Sequence, residues 1–312
     1  MNNQHIKIID RQVAIKHLLQ FLVILIGSIL MGALLNGLIF FALDIDASQV
    51  MLNSDGAATL RWSLLILHFF SFLLPSVLFL LITHRRGITH FLQPERLTPT
   101  SWYLLSIFLL IAMMPVIQYS YQVNQMIPLP DWMQSMEGEA ADTLSRLIQM
   151  DNIGTLIINL LIIAVLPALG EELLFRGIIQ RYGYSLFKRP VSSVWVTAFL
   201  FSAIHFQFEG FIPRFLLGLF LGYLYFWTGR IVLPILAHLF NNGLMVIASF
   251  IYPEEMLSGA EESNIPAVSL LAAIISLVIL IPGLRYLRKI SEAPFSTTSD
   301  DINPLENRSS IE

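Results

Sequence analysis

Long apolar segments dominate this sequence and decide what it can fold into. Most of them approach the roughly 20 residues that an α-helix needs to cross a bilayer. Charged residues make up only 13% of the chain, about half the share that is usual in soluble domains. The sequence therefore predicts an all-α integral membrane protein, a bundle of about eight transmembrane helices. The segments run from His17 to Leu43, Trp62 to Thr83, Trp102 to Gln118, Gly154 to about Tyr182, Val191 to about Phe206, Phe211 to Trp227, Ile231 to Ile251 and Ala267 to Leu284.

Basic residues are distributed unevenly between the two ends of these segments. With an even number of spans, thirteen Lys and Arg residues fall on the side of the termini, and only Arg61, Arg146 and Arg214 fall on the other side. Lys and Arg concentrate in cytoplasmic loops, so the N- and C-termini are expected to be cytoplasmic. This pattern predicts a multi-pass protein of the cell inner (plasma) membrane.

The composition also excludes several kinds of site. The chain has no cysteine, which removes disulfides, zinc–thiolate centres, iron–sulfur clusters and thiol nucleophiles. Its net charge of -4 gives no basic surface for nucleic acid, so no nucleic-acid partner is expected. The lipid bilayer is the first partner that the sequence predicts.

The longest external segment, Tyr119 to Ile153, has a helical pattern in its later part. Leu144, Leu147 and Ile148 recur at helical spacing with polar residues between them. We interpret this part as an amphipathic helix on the outer surface, held there by Trp132. A plain connecting loop is the alternative.

Two adjacent carboxylates, Glu171 and Glu172, lie inside the fourth apolar segment. Charges within a membrane are expensive and usually functional. Glu172 and Arg176 are four residues apart, which predicts an ion pair on one helix face. Glu171 points about 100° away and is left free for a catalytic role, for which a carboxylate in apolar surroundings suits a general base. A purely structural ion-pair network is the alternative interpretation.

Two later segments add polar side chains at helical spacing. Phe201 and His205 share one face of the fifth segment, and His238 and Asn242 share one face of the seventh. His238 and Asn242 could orient each other or donate to one substrate oxygen. Counted from the nearest basic residue, Glu171 and His238 lie about 15 and 12 Å into the membrane, whereas His205 lies near 24 Å. The fifth segment must therefore tilt, start late or be broken.

Other polar or small residues in the apolar segments are expected to be structural. His68 is a lone membrane histidine, and His84 and His90 belong to a basic loop. Gly218 and Gly222 form a GxxxG pattern, which allows close helix packing and carries no chemistry of its own.

Three motifs follow one another in this half of the chain: Glu171-Glu172-x-x-x-Arg176, Phe201-x-x-x-His205 and His238-x-x-x-Asn242. Their order and spacing resemble those of the CPBP (Abi) family of CAAX prenyl endopeptidases and bacteriocin-processing or immunity membrane proteins. The resemblance covers about Ile158 to Gly243. Together with the predicted spans, the charge distribution and the polar composition of the last residues, it divides the chain into five parts: a cytoplasmic N-terminal segment (1–16), a variable part with three helices and an external loop with a possible amphipathic helix (17–153), a catalytic core (154–251), an external loop with the last helix (252–290) and a disordered cytoplasmic tail (291–312).

The resemblance implies an intramembrane endopeptidase. Glu171 and His205 would activate a water that attacks the scissile carbonyl. His238 and Asn242 would stabilise the oxyanion, and Glu172, Arg176 and Phe201 would support the site. No tightly bound cofactor is expected. The alternative is a zinc ion, for which Glu171, His205 and His238 are suitable ligand types.

The sequence allows alternatives for the substrate and for the activity. The short chain with compact loops is typical of a bacterial protein, so the expected substrate is a membrane-anchored or secreted peptide or protein. A non-catalytic immunity or scaffold protein with the same fold is the alternative. A transporter is less favoured, because the polar residues cluster in one layer and do not cross the membrane as a proton relay would.

Overall fold

All the regular structure in the described part of the chain is helical. The computed structural model describes residues 9–45, 56–84, 87–92, 98–187, 189–253 and 267–291. The elements are α1 (Arg11–Ala42), α2 (Gly56–His84), α3 (Ile88–Leu92), α4 (Thr100–Gln125), α5 (Asp131–Ile148), α6 (Ile153–Leu186), α7 (Pro190–Ala203), α8 (Phe211–Thr228), α9 (Val232–Ile251) and α10 (Ala267–Ile290).

Seven of these helices are long and apolar enough to cross a membrane. Of the eight predicted spans, only the fifth forms a helix too short to be counted with them: α7 has 14 residues. It nevertheless lies antiparallel along α8, since Gly222 packs against Val194 and Gly218 packs against Ala198. At the far end, the Ser202 hydroxyl donates to the carbonyl of Phe211, the first residue of α8. The multi-pass helical bundle predicted from the sequence is thus confirmed, with one short member.

The structure bears on two of the predicted elements, the third apolar segment and the helix of the long external segment. The third apolar segment does not end at Gln118, because α4 continues to Gln125. The buried Asn124 holds this extension: its amide donates to the Phe208 carbonyl and its oxygen accepts from the Ile212 backbone. Where the sequence left an amphipathic helix and a plain loop open, the structure has a helix, α5, which begins directly after Pro130.

Arg61 fixes the C-terminal end of α5 against the bundle. Its guanidinium donates to Asn159 of α6 and to the backbone carbonyls of Leu147 and Gln149. Trp132, the predicted anchor, is exposed and contacts the Phe208 ring with an edge-to-face geometry. The predicted tail, beyond Ser291, and the loop residues 254–266 lie outside the described residues, as do Lys7, Arg85, Arg86, Arg96 and Lys188 of the orientation count.

Two apolar clusters flank α6. On one side, Phe21 of α1 and Phe79 of α2 pack with Phe175 and Tyr182 of α6. On the other side, α4, α8, α9 and α10 share a second cluster that includes Leu109, Leu221, Ala237 and Leu280. The helix that carries the carboxylates therefore lies between two packed groups of helices.

Close packing between α1 and α2 gives a direct test of this arrangement. A Cβ at Gly32 would lie 2.5 Å from Phe70 Cβ, whereas Gly27 and Gly37 of the same helix face open space. We expect Gly32→Ala to destabilise the protein by about 1–3 kcal/mol and lower its Tm in detergent. Gly27→Ala and Gly37→Ala should leave the Tm unchanged or raise it, since Ala is favoured in helices by up to ~1 kcal/mol. Equal effects at all three positions would contradict the packing.

Candidate active site

The two adjacent carboxylates occupy a short α-helical stretch of α6 between two π-helical segments, Leu160–Val165 and Leu173–Gln180. A third π-helical segment, Phe69–Leu73, interrupts α2 directly after His68. π-helical segments within helices occur frequently at functional sites. The three interruptions therefore mark one region of the bundle, around Glu171.

Glu172 and Arg176 form the predicted ion pair, with Arg176 Nη1 3.0 Å from Glu172 Oε1 and both side chains fully buried. The other guanidinium nitrogen, Nη2, donates to the Gly218 carbonyl at 3.0 Å. The guanidinium also lies over the Phe201 ring, with Cζ 4.8 Å from the ring centroid. Arg176 thus connects the first motif to α7 and α8, and the GxxxG glycine contributes a hydrogen-bond acceptor as well as space.

Glu172 has a second partner that the helical spacing did not predict. Its Oε1 atom, which already pairs with Arg176, lies 2.9 Å from Nδ1 of the buried His238. A carboxylate oxygen only accepts, so His238 donates from Nδ1 and directs its Nε2 away from Glu172. One buried carboxylate oxygen therefore joins the first motif to the third.

Glu171 is buried, with 4% of its surface exposed, and it takes no part in the Glu172–Arg176 pair. Its Oε1 atom lies 3.6 Å from Nε2 of His68. Within the described part of the chain, neither Glu171 Oε2 nor His68 Nε2 has a hydrogen-bond partner. Glu172 Oε2 also has no hydrogen-bond partner there, but Glu172 is fixed through Oε1 by Arg176 and His238. Glu171 is thus the carboxylate that lies outside these contacts.

His68 is a site residue that the sequence interpretation missed. Its ring stacks on Phe72 at a centroid distance of 4.5 Å, and it lies close enough to His205 and His238 to interact with both electrostatically. The sequence offered little signal, because Ser71 is the only polar residue among those three or four positions from His68. The other histidine of this helix, His84, hydrogen-bonds to Tyr182 and packs on Phe91.

His205 lies two residues beyond the end of α7. The helix starts at Pro190, directly after Arg189, and ends at Ala203, so the segment does not start late. Its 14 residues already rise about 21 Å, so the end of the helix does not by itself account for the depth of His205. The chain then turns through Phe206, whose φ is 51°. His205 Nδ1 lies 2.7 Å from the Phe201 carbonyl, which holds the ring so that Nε2 is available as an acceptor.

Phe201 links the second motif to the third. Its ring centroid is 5.4 Å from that of His205 and 5.8 Å from that of His238, with edge contacts to both. Phe201 is itself 2% exposed. The aromatic residue of the motif thus separates and positions the two imidazoles.

Asn242 is oriented by the backbone of α6 instead of by His238. Its Nδ2 donates to the Ile163 carbonyl at 3.0 Å, and its Oδ1 accepts from Asn241 at 3.1 Å. Ile163 belongs to the first π-helical segment of α6. This bond uses one of the two N–H groups of the Asn242 amide.

Each histidine of the zinc alternative is oriented through its Nδ1 atom. His238 directs Nδ1 at Glu172, and His205 directs Nδ1 at a backbone carbonyl. Such bonds are also usual for His ligands that bind a metal through Nε2. Among the described residues, no three His, Asp or Glu side chains are grouped as ligands of one metal ion.

Comparison with known proteins identifies relatives of this region. The chain is 28% identical over 108 residues to the membrane-embedded CAAX protease MroQ of Staphylococcus aureus (strain USA300), covering 33% of the chain and 43% of that protein. It is 30% identical over 84 residues to the uncharacterized protein YpbD of Bacillus subtilis (strain 168), covering 26% of the chain and 40% of that protein. The chain thus spans less than half the length of each relative.

No solved structure is significantly similar to the chain. A family model does match, and its boundaries enclose Glu171, His205, His238 and Asn242. The resemblance predicted from the three motifs is confirmed: residues 153–244 match the family of type II CAAX prenyl endopeptidases described as Rce1-like.

Proposed function

We propose that this protein is an intramembrane endopeptidase that hydrolyses a peptide bond in a membrane-associated or secreted peptide or protein. One observation carries the proposal: a buried carboxylate oxygen of Glu172 is shared by Arg176 and His238, directly beside Glu171, which is outside that pair. Such an arrangement supplies a fixed imidazole and, next to it, a buried carboxylate outside the Glu172–Arg176 ion pair. The match of residues 153–244 to Rce1-like endopeptidases supports the same reaction.

Glu171 is the proposed general base. It would take a proton from a water whose oxygen attacks the scissile carbonyl carbon, and would later deliver that proton to the leaving amine. Nε2 of His205, available because Nδ1 bonds to the Phe201 carbonyl, would accept a hydrogen bond from the same water. The hydrolysis then yields a carboxyl and an amino terminus with no group transferred to the protein.

His238 and Asn242 are the proposed oxyanion donors. His238 would donate to the oxyanion from Nε2 as the doubly protonated ring, with its Nδ1–H bonded to the Glu172 carboxylate. Asn242 would donate the amide N–H that Ile163 does not use. Donors held in advance at a developing oxyanion are usually the largest single contribution to catalysis.

The protein is further proposed to be a multi-pass protein of the plasma membrane with both termini in the cytoplasm. The apolar helices support membrane insertion, and the distribution of Lys and Arg residues supports the orientation. Its partners would be the lipid bilayer and the peptide substrate.

The proposed base is tested with an isosteric variant. Glu171→Gln should lower kcat/KM in detergent, on a quenched fluorogenic peptide library, by about 10²–10⁴-fold, the usual contribution of a general base. His205→Ala and His238→Ala should also lose most activity. Glu139→Gln, at an exposed carboxylate of α5, is the matched control and should cleave like the wild type. A wild type that cleaves nothing would favour the non-catalytic immunity or scaffold alternative.

Stability separates the roles of the two carboxylates. Glu172→Gln leaves Arg176 buried without a charge partner, which should cost about 3–5 kcal/mol and lower the Tm markedly. Glu171→Gln removes a buried charge outside that ion pair and should keep or raise the Tm. Thermal unfolding in detergent measures both. Equal destabilisation by the two variants would contradict the division into a base and a support.

Metal removal tests the water-activation step. Dialysis against 1,10-phenanthroline or EDTA should leave kcat/KM unchanged, because the proposed step uses only side chains. Loss of activity with recovery on adding Zn²⁺ would instead require a metal-bound water.

A further inference from the structure

A cavity of about 280 Å³ lies between α2 and α6, beside the proposed site. A cavity of about 150 Å³ lined by aliphatic and aromatic side chains holds a benzene ring, so this one has room for the largest apolar side chains. Its lining residues are Leu64, Leu67, His68, Ser71, Phe72, Leu147, Ile162 and Ile163.

The cavity touches the proposed site at two points. The His68 ring lines it, while His68 Nε2 lies 3.6 Å from the Glu171 carboxylate. Ile163 also lines it, and the Ile163 carbonyl accepts the hydrogen bond that orients Asn242. A side chain in the cavity would therefore lie next to both the proposed base and a proposed oxyanion donor.

The walls of the cavity come from two π-helical segments. Phe69–Leu73 of α2 contributes Ser71 and Phe72, and Leu160–Val165 of α6 contributes Ile162 and Ile163. Leu147 closes the cavity from α5, at the end of that helix which Arg61 holds. Three helices thus build the cavity, and two of them, α2 and α5, lie outside the segment that matches the endopeptidase family.

The lining favours an apolar occupant. Apart from the Ser71 hydroxyl and the His68 ring, all lining side chains are Leu, Ile or Phe. A charged side chain would lose its hydration there without gaining an ionic partner, which is costly. Mostly apolar walls with a few placed polar groups are typical of sites that select a ligand by shape.

We propose that this cavity binds the side chain of a large apolar residue, of the size of Leu or Phe, next to the scissile bond of the substrate. In this way α2 and α5 would select the substrate, while residues 153–244, which match the endopeptidase family, would carry the catalytic side chains. The inference rests on the proposed endopeptidase function, since a cavity for a substrate side chain requires a substrate.

The test varies the cavity and the substrate together. The peptide that the library selects is resynthesised with Gly, Ala, Leu, Phe, Asp or Lys on each side of the cleaved bond. Ser71→Leu fills the cavity and should lower kcat/KM for the Leu and Phe peptides by about 10- to 200-fold, the range for misfit in an apolar pocket. The same variant should cleave the Ala peptide with nearly the kcat/KM of the wild type. Leu67→Ala enlarges the cavity and should shift the preference from Leu toward Phe.

Matched controls separate the outcomes. Ser101→Leu is the same change at an exposed position of α4, and Leu30→Ala removes a side chain of α1 that is 64% exposed; both should keep the wild-type preference. If the wild type cleaves but Ser71→Leu lowers kcat/KM for all peptides equally, the cavity holds lipid or serves only packing. The inference then fails, while the proposed endopeptidase function is retained. A wild type without activity on any peptide overturns both.

Discussion

The carboxylate of Glu172 is the interaction on which the rest of this structure depends. Its Oε1 atom receives both Arg176 and His238 in a fully buried position. Because a buried charge is tolerated only with good partners, this one atom fixes the relative positions of α6 and α9. Arg176 extends the connection to α8 through the Gly218 carbonyl and to α7 through the Phe201 ring. Three motifs that are distant in sequence thus become one layer.

Around this layer, the conformation of the helices prepares the chemistry. π-helical segments in α2 and α6 flank His68 and the carboxylate pair. One of them presents the Ile163 carbonyl to Asn242. The break after Ala203 places His205 beyond the end of α7, with its ring held by the Phe201 carbonyl. Each proposed catalytic side chain other than Glu171 is held by a hydrogen bond to a neighbour, so the reacting groups are held in place before a substrate binds.

Much of this could be predicted from the sequence, because it depends on local periodicity. Apolar length predicted the helices, and the spacing of Glu172 and Arg176 predicted their ion pair. Contacts between distant segments could not be predicted from spacing. His238 binds Glu172 across the bundle, whereas its spacing in the sequence predicted a pair with Asn242. His68 was missed for the same reason, since its relation to Glu171 depends on how α2 packs against α6. The position of His205 in the turn after α7 was also not predicted, because the fifth segment was expected to continue to about Phe206, whereas the helix ends at Ala203.

The central claim is that this buried layer delivers a water to a peptide bond. A single-turnover cleavage in H₂¹⁸O, with the product analysed by mass spectrometry, tests it most directly. Attack by water activated at Glu171 predicts one solvent ¹⁸O in the new carboxyl group of the product in the first turnover. A first-turnover product with no ¹⁸O would mean that a side-chain oxygen of the protein had attacked instead, and would contradict the account.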